Sequence, residues 1–208
     1  MDVPDIGISR LLLVGTGSVS AADLPFWVNW LRYAYPRMQI QVVVTRSAER
    51  FVTRTSLATR SRREVLLDEW PEESGLRARH VELAEWAEVM VVYPATFHFI
   101  ARLAQGFADS PGLLAAQCTT APVGIAPALP PGGLDSPAFR MHREALESRP
   151  NVVIVPPVPG ISVTTGRRDS WAPAPLHELL GRVERLRRGS AAAPESPAGR
   201  HVPEGEER

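Results

Sequence analysis

Residues 80–106 constrain the fold of this chain more than any other segment. They contain an uninterrupted apolar run at residues 89–93, then a turn of small residues (Pro94, Ala95 and Thr96), then a helical pattern. Continuously apolar strands are typical of parallel sheets that are buried on both faces. Because open α/β sheets bind ligands beyond the carboxyl ends of their strands, we expect this turn to contact a ligand.

Four further apolar runs alternate with helical patterns along the chain. The runs lie at residues 10–14, 39–44, 122–126 and 151–155. The helical patterns lie at residues 24–35, 97–107, 112–118 and 137–147. Alternating strands and helices predict right-handed crossovers and one parallel sheet with helices on both faces. We therefore predict an α/β fold of three layers.

Other stretches lack such patterns. Residues 53–79 are weakly patterned and are predicted to include an irregular surface excursion. Residues 127–137 and 156–171 are predicted loops after strands, where substrate contacts usually lie. The low-complexity segment 189–208 is predicted to be disordered. The chain is thus expected to hold a single domain at residues 1–188 and a short tail.

The composition excludes several classes of function. The 23 basic residues, all arginine, balance 23 acidic residues, so no net charge favours nucleic acid or an anionic membrane. The absence of lysine excludes Schiff-base catalysis. One cysteine, Cys118, forms no disulfide framework, and no metal-ligand spacing is seen at His142, His177 or His201. Without an 18-residue apolar run or signal-peptide features, we expect a cytoplasmic protein.

The first apolar run is followed by the sequence GTGS at residues 15–18 and then by a helix. Glycines allow a ligand to approach the backbone, and hydroxyls and helix-start N–H groups bind phosphate. A dinucleotide fingerprint would need another glycine and an acidic residue about 20 residues later, and neither is present. We therefore favour a mononucleotide phosphate held by Ser18, Thr45 and Ser47 over a turn that only connects two elements.

Two histidines flank the turn of small residues. His80 precedes the helical segment before the apolar run, and His98 lies in the first turn of the next helix. Each histidine has two readings that the residues alone leave open. It is either a proton-transfer or ligand-facing group, since histidine exchanges protons near neutral pH, or a surface or capping residue.

Five segments in this order resemble the homo-oligomeric flavin-containing cysteine decarboxylases: LLLVGTGSVSA, VVVTRSAERFV, HVELAEWAEVMVVYPAT, IARLAQGFADS and PVGIAPAL. The resemblance runs from about Leu11 to Arg168. This family includes phosphopantothenoylcysteine decarboxylases and the lantibiotic peptidyl-cysteine decarboxylases of the epidermin type. The resemblance implies a Rossmann-like, flavodoxin-like domain that binds FMN, with sites formed between the subunits of a homotrimer. Some members assemble further into homododecamers.

The resemblance also implies roles for individual residues. The matches to the flavin-binding motifs are Gly17, Ser18, Thr45 and Ser47 on the phosphate side, and Phe51, Pro94, Ala95 and Thr96 against the flavin. His80 matches the active-site histidine of the family.

Three departures from the family pattern concern the substrate. The family's Pro-Ala-Ser-Ala-Asn-Thr turn reads PATFHF here, with His98 in place of the asparagine. The Pro-x-Met-Asn motif, whose asparagine helps hold the substrate cysteine, reads Pro127-Ala128-Leu129-Pro130. The substrate-recognition loop is replaced by PGISVTTGRR, in which Arg167 or Arg168 offers a bidentate contact for a peptide carboxylate.

A missing cysteine distinguishes two branches of the family. In phosphopantothenoylcysteine decarboxylases, a loop cysteine helps reduce the enethiol intermediate. That position falls at about Thr164 here. The resemblance therefore implies FMN-dependent oxidative decarboxylation of the C-terminal cysteine of a ribosomally made precursor peptide of lanthipeptide type, giving an enethiol for aminovinyl-cysteine formation.

Three alternatives remain from the sequence. The first is a phosphopantothenoylcysteine decarboxylase of coenzyme A biosynthesis. The second is a flavin-binding subunit without catalysis, because fold does not determine function. A flavin prenyltransferase, the third, matches the HVELAEWA segment poorly.

Overall fold

The computed structural model of this chain describes residues 3–71 and 78–191. The strands are β1 (Arg10–Gly15), β2 (Gln39–Val44), β3 (Leu66–Leu67), β4 (Val89–Thr96), β5 (Val123–Ala128), β6 (Val152–Ile154), β7 (Val158–Gly160) and β8 (Ser170–Ala172). The α-helices are α1 (Leu24–Ala34), α2 (Arg54–Ser61), α3 (Arg79–Trp86), α4 (Phe97–Ala104), α5 (Pro111–Cys118), α6 (Pro137–Glu147) and α7 (Leu176–Ala191). Short 3₁₀ helices lie at Val19–Asp23 and Ala48–Arg50.

Six parallel strands form the central sheet in the order β3-β2-β1-β4-β5-β6. The chain moves outward from β1 to β3 and then returns to β4 on the other side of β1. This is the Rossmann strand order, and the direction of winding reverses between β1 and β4. The predicted Rossmann-like α/β sandwich is therefore confirmed. The strands β7 and β8 form a separate antiparallel hairpin.

Alternate residues of the strands supply two hydrophobic cores, because successive side chains of a strand point to opposite faces. Leu11 and Leu13 of β1 belong to the core under α1, α2 and α7. Leu12 and Val14 belong to the core under α3, α4, α5 and α6. All four are fully buried. The apolar runs of the sequence are thus continuous because both faces of the sheet are covered.

Three predictions need correction. The predicted loops contain strand residues, because residues 127 and 128 belong to β5 and residues 156–171 contain β7 and part of β8. Residues 53–79, whose weak pattern predicts no regular element, contain α2 and β3, and α3 begins at Arg79. Thr53 starts α2 by accepting a hydrogen bond from the Ser56 amide at 3.1 Å. The predicted disordered tail begins at residue 189, but α7 continues to Ala191. The rest of that segment, residues 192–208, lies outside the described residues.

Within the described residues, no helix is both long and apolar enough to cross a membrane.

Candidate active site

A cleft of about 810 Å³ lies over the carboxyl ends of β1 to β4. Its lining includes Thr16 after β1, Thr45 and Ser47 after β2, Trp70 after β3, and Thr96 at the end of β4. Cavities that bind small molecules have volumes of roughly 300–1,000 Å³. The cleft therefore has the size of a ligand site and lies where a Rossmann sheet reverses its winding.

The ends of β1 and β4 are joined by the buried side chain of Thr16. Its Oγ1 donates to the Pro94 carbonyl at 2.7 Å and accepts from the Thr96 amide at 2.8 Å. The Thr96 hydroxyl in turn caps α4 by accepting from the Phe99 amide at 3.3 Å. Ala95, between Pro94 and Thr96, is fully buried. Residues 94–96 are therefore the end of β4 and not a turn, which corrects the prediction, and of the three only Thr96 lines the cleft.

The loops after β1 and β2 are in direct contact. A Cβ atom built on Gly17 would lie 2.5 Å from Ser47 Cβ and 2.9 Å from the Ser47 carbonyl carbon, so only glycine fits. The Thr45 and Ser47 hydroxyls are 3.1 Å apart and both line the cleft. Ser18 does not line the cleft; its hydroxyl accepts from the Ser20 amide at 3.3 Å and caps a 3₁₀ helix.

Three arginines line the cleft together with four acidic residues, Glu49, Asp68, Glu69 and Asp109. Arg46 pairs with Glu69, with Nε and Oε1 2.9 Å apart, and this hydrogen bond lowers the pKa of Glu69. Arg102 pairs with Asp109, whose pKa the pair also lowers. Arg50 has no ion-pair partner within residues 3–71 and 78–191. The hydroxyls after β2 and this guanidinium form a donor set suited to an anion.

Sequence reasoning missed the buried carboxylate of Asp68, which follows β3 and also lines the cleft. Asp68 accepts hydrogen bonds from the Ser110 hydroxyl at 2.8 Å and from the Gly112 amide at 2.7 Å. Burial raises the pKa of the carboxyl, although these two hydrogen bonds act in the opposite direction. The pair Ser110-Pro111 indicates a helix start in the sequence, but nothing in the sequence indicates that Asp68 binds to this helix start.

His80 lies beside the cleft and does not line it within one chain. It is half-buried in the first turn of α3, as the sequence predicts. Its ring is 5.7 Å from the ring of Trp70, centre to centre, at an interplanar angle of 75°. Nδ1 of His80 is buried and has no hydrogen-bond partner among the described residues.

Of the two predicted site residues His98 and Phe51, one lines the cleft and the other does not. His98 is exposed and lines the cleft. Phe51 is 40% exposed and lies outside the lining. Within the part of the chain that the structure describes, no cluster of histidine, cysteine and acidic residues suits a metal ion.

The segment that replaces the Pro-x-Met-Asn motif begins in the last two residues of β5, next to the end of β4, and none of its residues lines the cleft. Pro127 and Ala128 pair with Ala95 and Thr96 in the parallel ladder. Leu129 continues into a bridge with Trp171 of β8.

Arg167 pairs with Asp169, with Nε and Oδ2 2.9 Å apart, in the connection between β7 and β8. It does not line the cleft of its own chain.

Comparison with known proteins identifies the family. The model of the family described as Flavoprotein matches residues 4–173. The chain belongs to the Flavoprotein family. A relative in a Streptomyces species, cypemycin cysteine dehydrogenase (decarboxylating), is 33% identical over 173 residues, which cover 83% of this chain and 89% of the relative.

Two solved structures are similar to this chain. The FMN-dependent cysteine decarboxylase SpaF has a TM-score of 0.72 and 25% identity, covering 88% of this chain and 97% of its own. A PPC decarboxylase mutant complexed with pantothenoylaminoethenethiol has a TM-score of 0.71 and 25% identity, and the match covers 85% of this chain and 96% of the mutant chain. The resemblance to cysteine decarboxylases that the sequence motifs indicate is confirmed.

Proposed function

We propose that this protein is an FMN-dependent enzyme that oxidatively decarboxylates the C-terminal cysteine of a ribosomally synthesised peptide. The observation that carries the proposal is a cleft at the Rossmann switch point, in a Flavoprotein family member similar to a decarboxylating cysteine dehydrogenase. The product is a peptide ending in an enethiol, which can close onto a dehydrated residue as an aminovinyl-cysteine.

The residues of the cleft fit FMN. The hydroxyls of Thr45 and Ser47, with the guanidinium of Arg50, would hold the phosphate. The end of β4, where Thr96 lines the cleft, would lie against the flavin ring. When bound, FMN accepts the two electrons that no side chain of this chain can accept.

The reaction balances as an oxidation followed by loss of carbon dioxide. The cysteine thiol gives up its proton, for which His80 is the acceptor, and Cβ loses a hydride equivalent, so that a thioaldehyde forms. The bond from Cα to the carboxylate then breaks. Its electron pair forms the carbon–carbon double bond of an enethiolate, and carbon dioxide leaves. A second turnover requires an external oxidant such as dioxygen.

The position of the single thiol supports an oxidised product. A redox-neutral reaction would return the two electrons from the reduced flavin to the enethiol, and it would need a proton donor such as a thiol near the cleft. Cys118 is the last residue of α5 and is exposed, whereas Ser110 precedes the same helix and lines the cleft. At ~1.5 Å per residue, about 12 Å of helix separate these two residues.

The place of His80 supports a site shared between subunits. The histidine lies beside the cleft of its own chain, so it is free to act at a site that a neighbouring chain completes. We therefore propose a homotrimer, or a homododecamer built from trimers. Because the substrate is made on ribosomes, the reaction would take place in the cytoplasm.

The purified protein should be yellow, and the anaerobic visible spectrum tests its function. A peptide ending in free cysteine should bleach the flavin, whereas the same peptide as a C-terminal amide should not. Mass spectrometry should show loss of carbon dioxide together with two hydrogens. Loss of carbon dioxide alone would favour a redox-neutral PPC decarboxylase. A yellow protein that no cysteine substrate bleaches would favour a non-catalytic flavin subunit, and failure to bind FMN would refute the proposal.

A further inference from the structure

Trp70 is the one aromatic side chain that contacts both the cleft and His80 among the described residues. It lines the cleft and is 45% exposed. Its ring meets the His80 ring nearly edge to face, at a centre-to-centre distance of 5.7 Å. This is a favourable arrangement for two aromatic rings.

The position of Trp70 is set by hydrogen bonds on the other side of the cleft. The indole Nε1 donates to the carbonyl of Asp109 at 3.0 Å. Two residues earlier, Asp68 binds Ser110 and Gly112 through its carboxylate, and its amide donates to Val44 at 2.8 Å. The segment after β3 is therefore tied both to the sheet and to the start of α5. Trp70 is held from two directions.

His80, by contrast, has no hydrogen bond that orients its ring within the described residues, and its buried Nδ1 is unpartnered. A catalytic histidine is normally oriented by a hydrogen bond to its second nitrogen, and among the described residues the ring of Trp70 is the contact that can take this part. We propose that Trp70 is a positioning residue that holds the imidazole of His80 in its reactive orientation. This proposal rests on the proposed function, in which His80 accepts the substrate thiol proton.

The kinetic test compares Trp70→Leu and Trp70→Phe in the FMN-loaded protein. We expect Trp70→Leu to lower the anaerobic rate constant of flavin reduction at saturating peptide by about two- to tenfold, the range of an aromatic pair. Trp70→Phe keeps an edge-on ring and should restore most of the rate. The KM for the peptide should change less than the rate constant of flavin reduction, because Trp70 positions His80 and not the substrate.

A double-mutant cycle with His80→Asn separates positioning from general damage. If Trp70 acts through His80, Trp70→Leu should have no further effect once His80 is replaced. A matched control is Phe26→Leu, since Phe26 is 53% exposed and also packs edge-on, 5.2 Å from Trp27, but lies outside the cleft. This control should leave the rate of flavin reduction unchanged.

A second readout does not depend on activity. Diethyl pyrocarbonate modifies accessible imidazoles, and trypsin releases His80 and His98 in one peptide, residues 80–102. We expect Trp70→Leu to raise the modification rate of His80 relative to His98 several-fold, and Trp70→Phe to restore it. Tandem mass spectrometry distinguishes the two sites.

Two results would overturn the proposal: an unchanged His80 modification ratio in Trp70→Leu, or equal losses of rate with and without His80. Failure of the proposed function would be recognised separately. In that case the wild-type flavin would not be bleached by any cysteine peptide, while the modification experiment would still report whether Trp70 shields His80.

Discussion

A methyl group at position 17 would occupy space that Ser47 already fills. The added Cβ would lie 2.5 Å from Ser47 Cβ and 2.9 Å from the Ser47 carbonyl carbon. Rotation of the Ser47 side chain cannot relieve these contacts, because neither atom moves with the side-chain torsion. Gly17→Ala must therefore separate the loops after β1 and β2, which form the proposed phosphate side of the FMN site.

The size of the effect follows from overpacking and lost hydrogen bonds. Overpacking of this kind costs about 1–3 kcal/mol of unfolding free energy. If the shift removes one charge-assisted hydrogen bond to the phosphate, about 1.5–3 kcal/mol of binding free energy is lost. We expect the FMN dissociation constant of Gly17→Ala to rise about ten- to hundredfold. Urea unfolding of the apoprotein and titration of flavin fluorescence measure the two effects.

Two further variants make the experiment specific. Gly181→Ala is the matched control, because Gly181 lies within α7 and its added Cβ would meet no atom closer than 3.7 Å. It should stabilise the protein by about 0.5–1 kcal/mol. Adding Ser47→Gly to Gly17→Ala removes the Cβ contact and should recover part of the stability, but not the FMN affinity, because this second substitution removes the Ser47 hydroxyl. A Gly17→Ala protein with wild-type stability and wild-type FMN affinity would refute the reasoning.

Three other substitutions test the site and the electrostatics. His80→Asn should bind FMN normally but slow anaerobic flavin reduction at least about 100-fold, the usual loss without a general base; an unchanged rate would exclude His80 as proton acceptor. Burial raises the pKa of Asp68 in the folded protein, so folding favours the protonated carboxyl. The protein therefore loses stability as the pH rises and this carboxyl ionises. The unfolding free energy of wild type minus that of Asp68→Asn should therefore decrease from pH 4 to pH 7, and a constant difference would contradict this. Hydrogen bonds from Arg187 and, to a smaller extent, from Arg188 lower the pKa of Glu184 from 4.5 to about 2. Glu184→Gln should destabilise the protein by up to about 3 kcal/mol at pH 7, and the loss should disappear as the pH falls from 4.5 toward 2.

The sequence predicts the central strands well because burial on both faces leaves a continuous apolar run. It fails between residues 53 and 79 for a physical reason. In α2, Leu57 and Ser61 are the buried residues, so the helix has little apolar periodicity, and β3 is only two residues long. The residues that depend on β3, Asp68 and Trp70, were missed with it. Side chains that act through tertiary contacts leave no local pattern to read.

The departures from the family pattern lie together in the structure. His98 follows Thr96 in the first turn of α4, and Thr96 pairs with Ala128 of the departed Pro-x-Met-Asn motif. These changes therefore lie on the β4 and β5 side of the cleft, where His98 belongs to its lining and residues 127–130 lie outside it. The glycine and hydroxyl motifs lie on the opposite side, beyond β1 and β2, and keep the family pattern. The switch point between β1 and β4 separates these two sides. Substrate contacts can therefore diverge on the β4 and β5 side without disturbing the residues proposed to hold the phosphate of FMN.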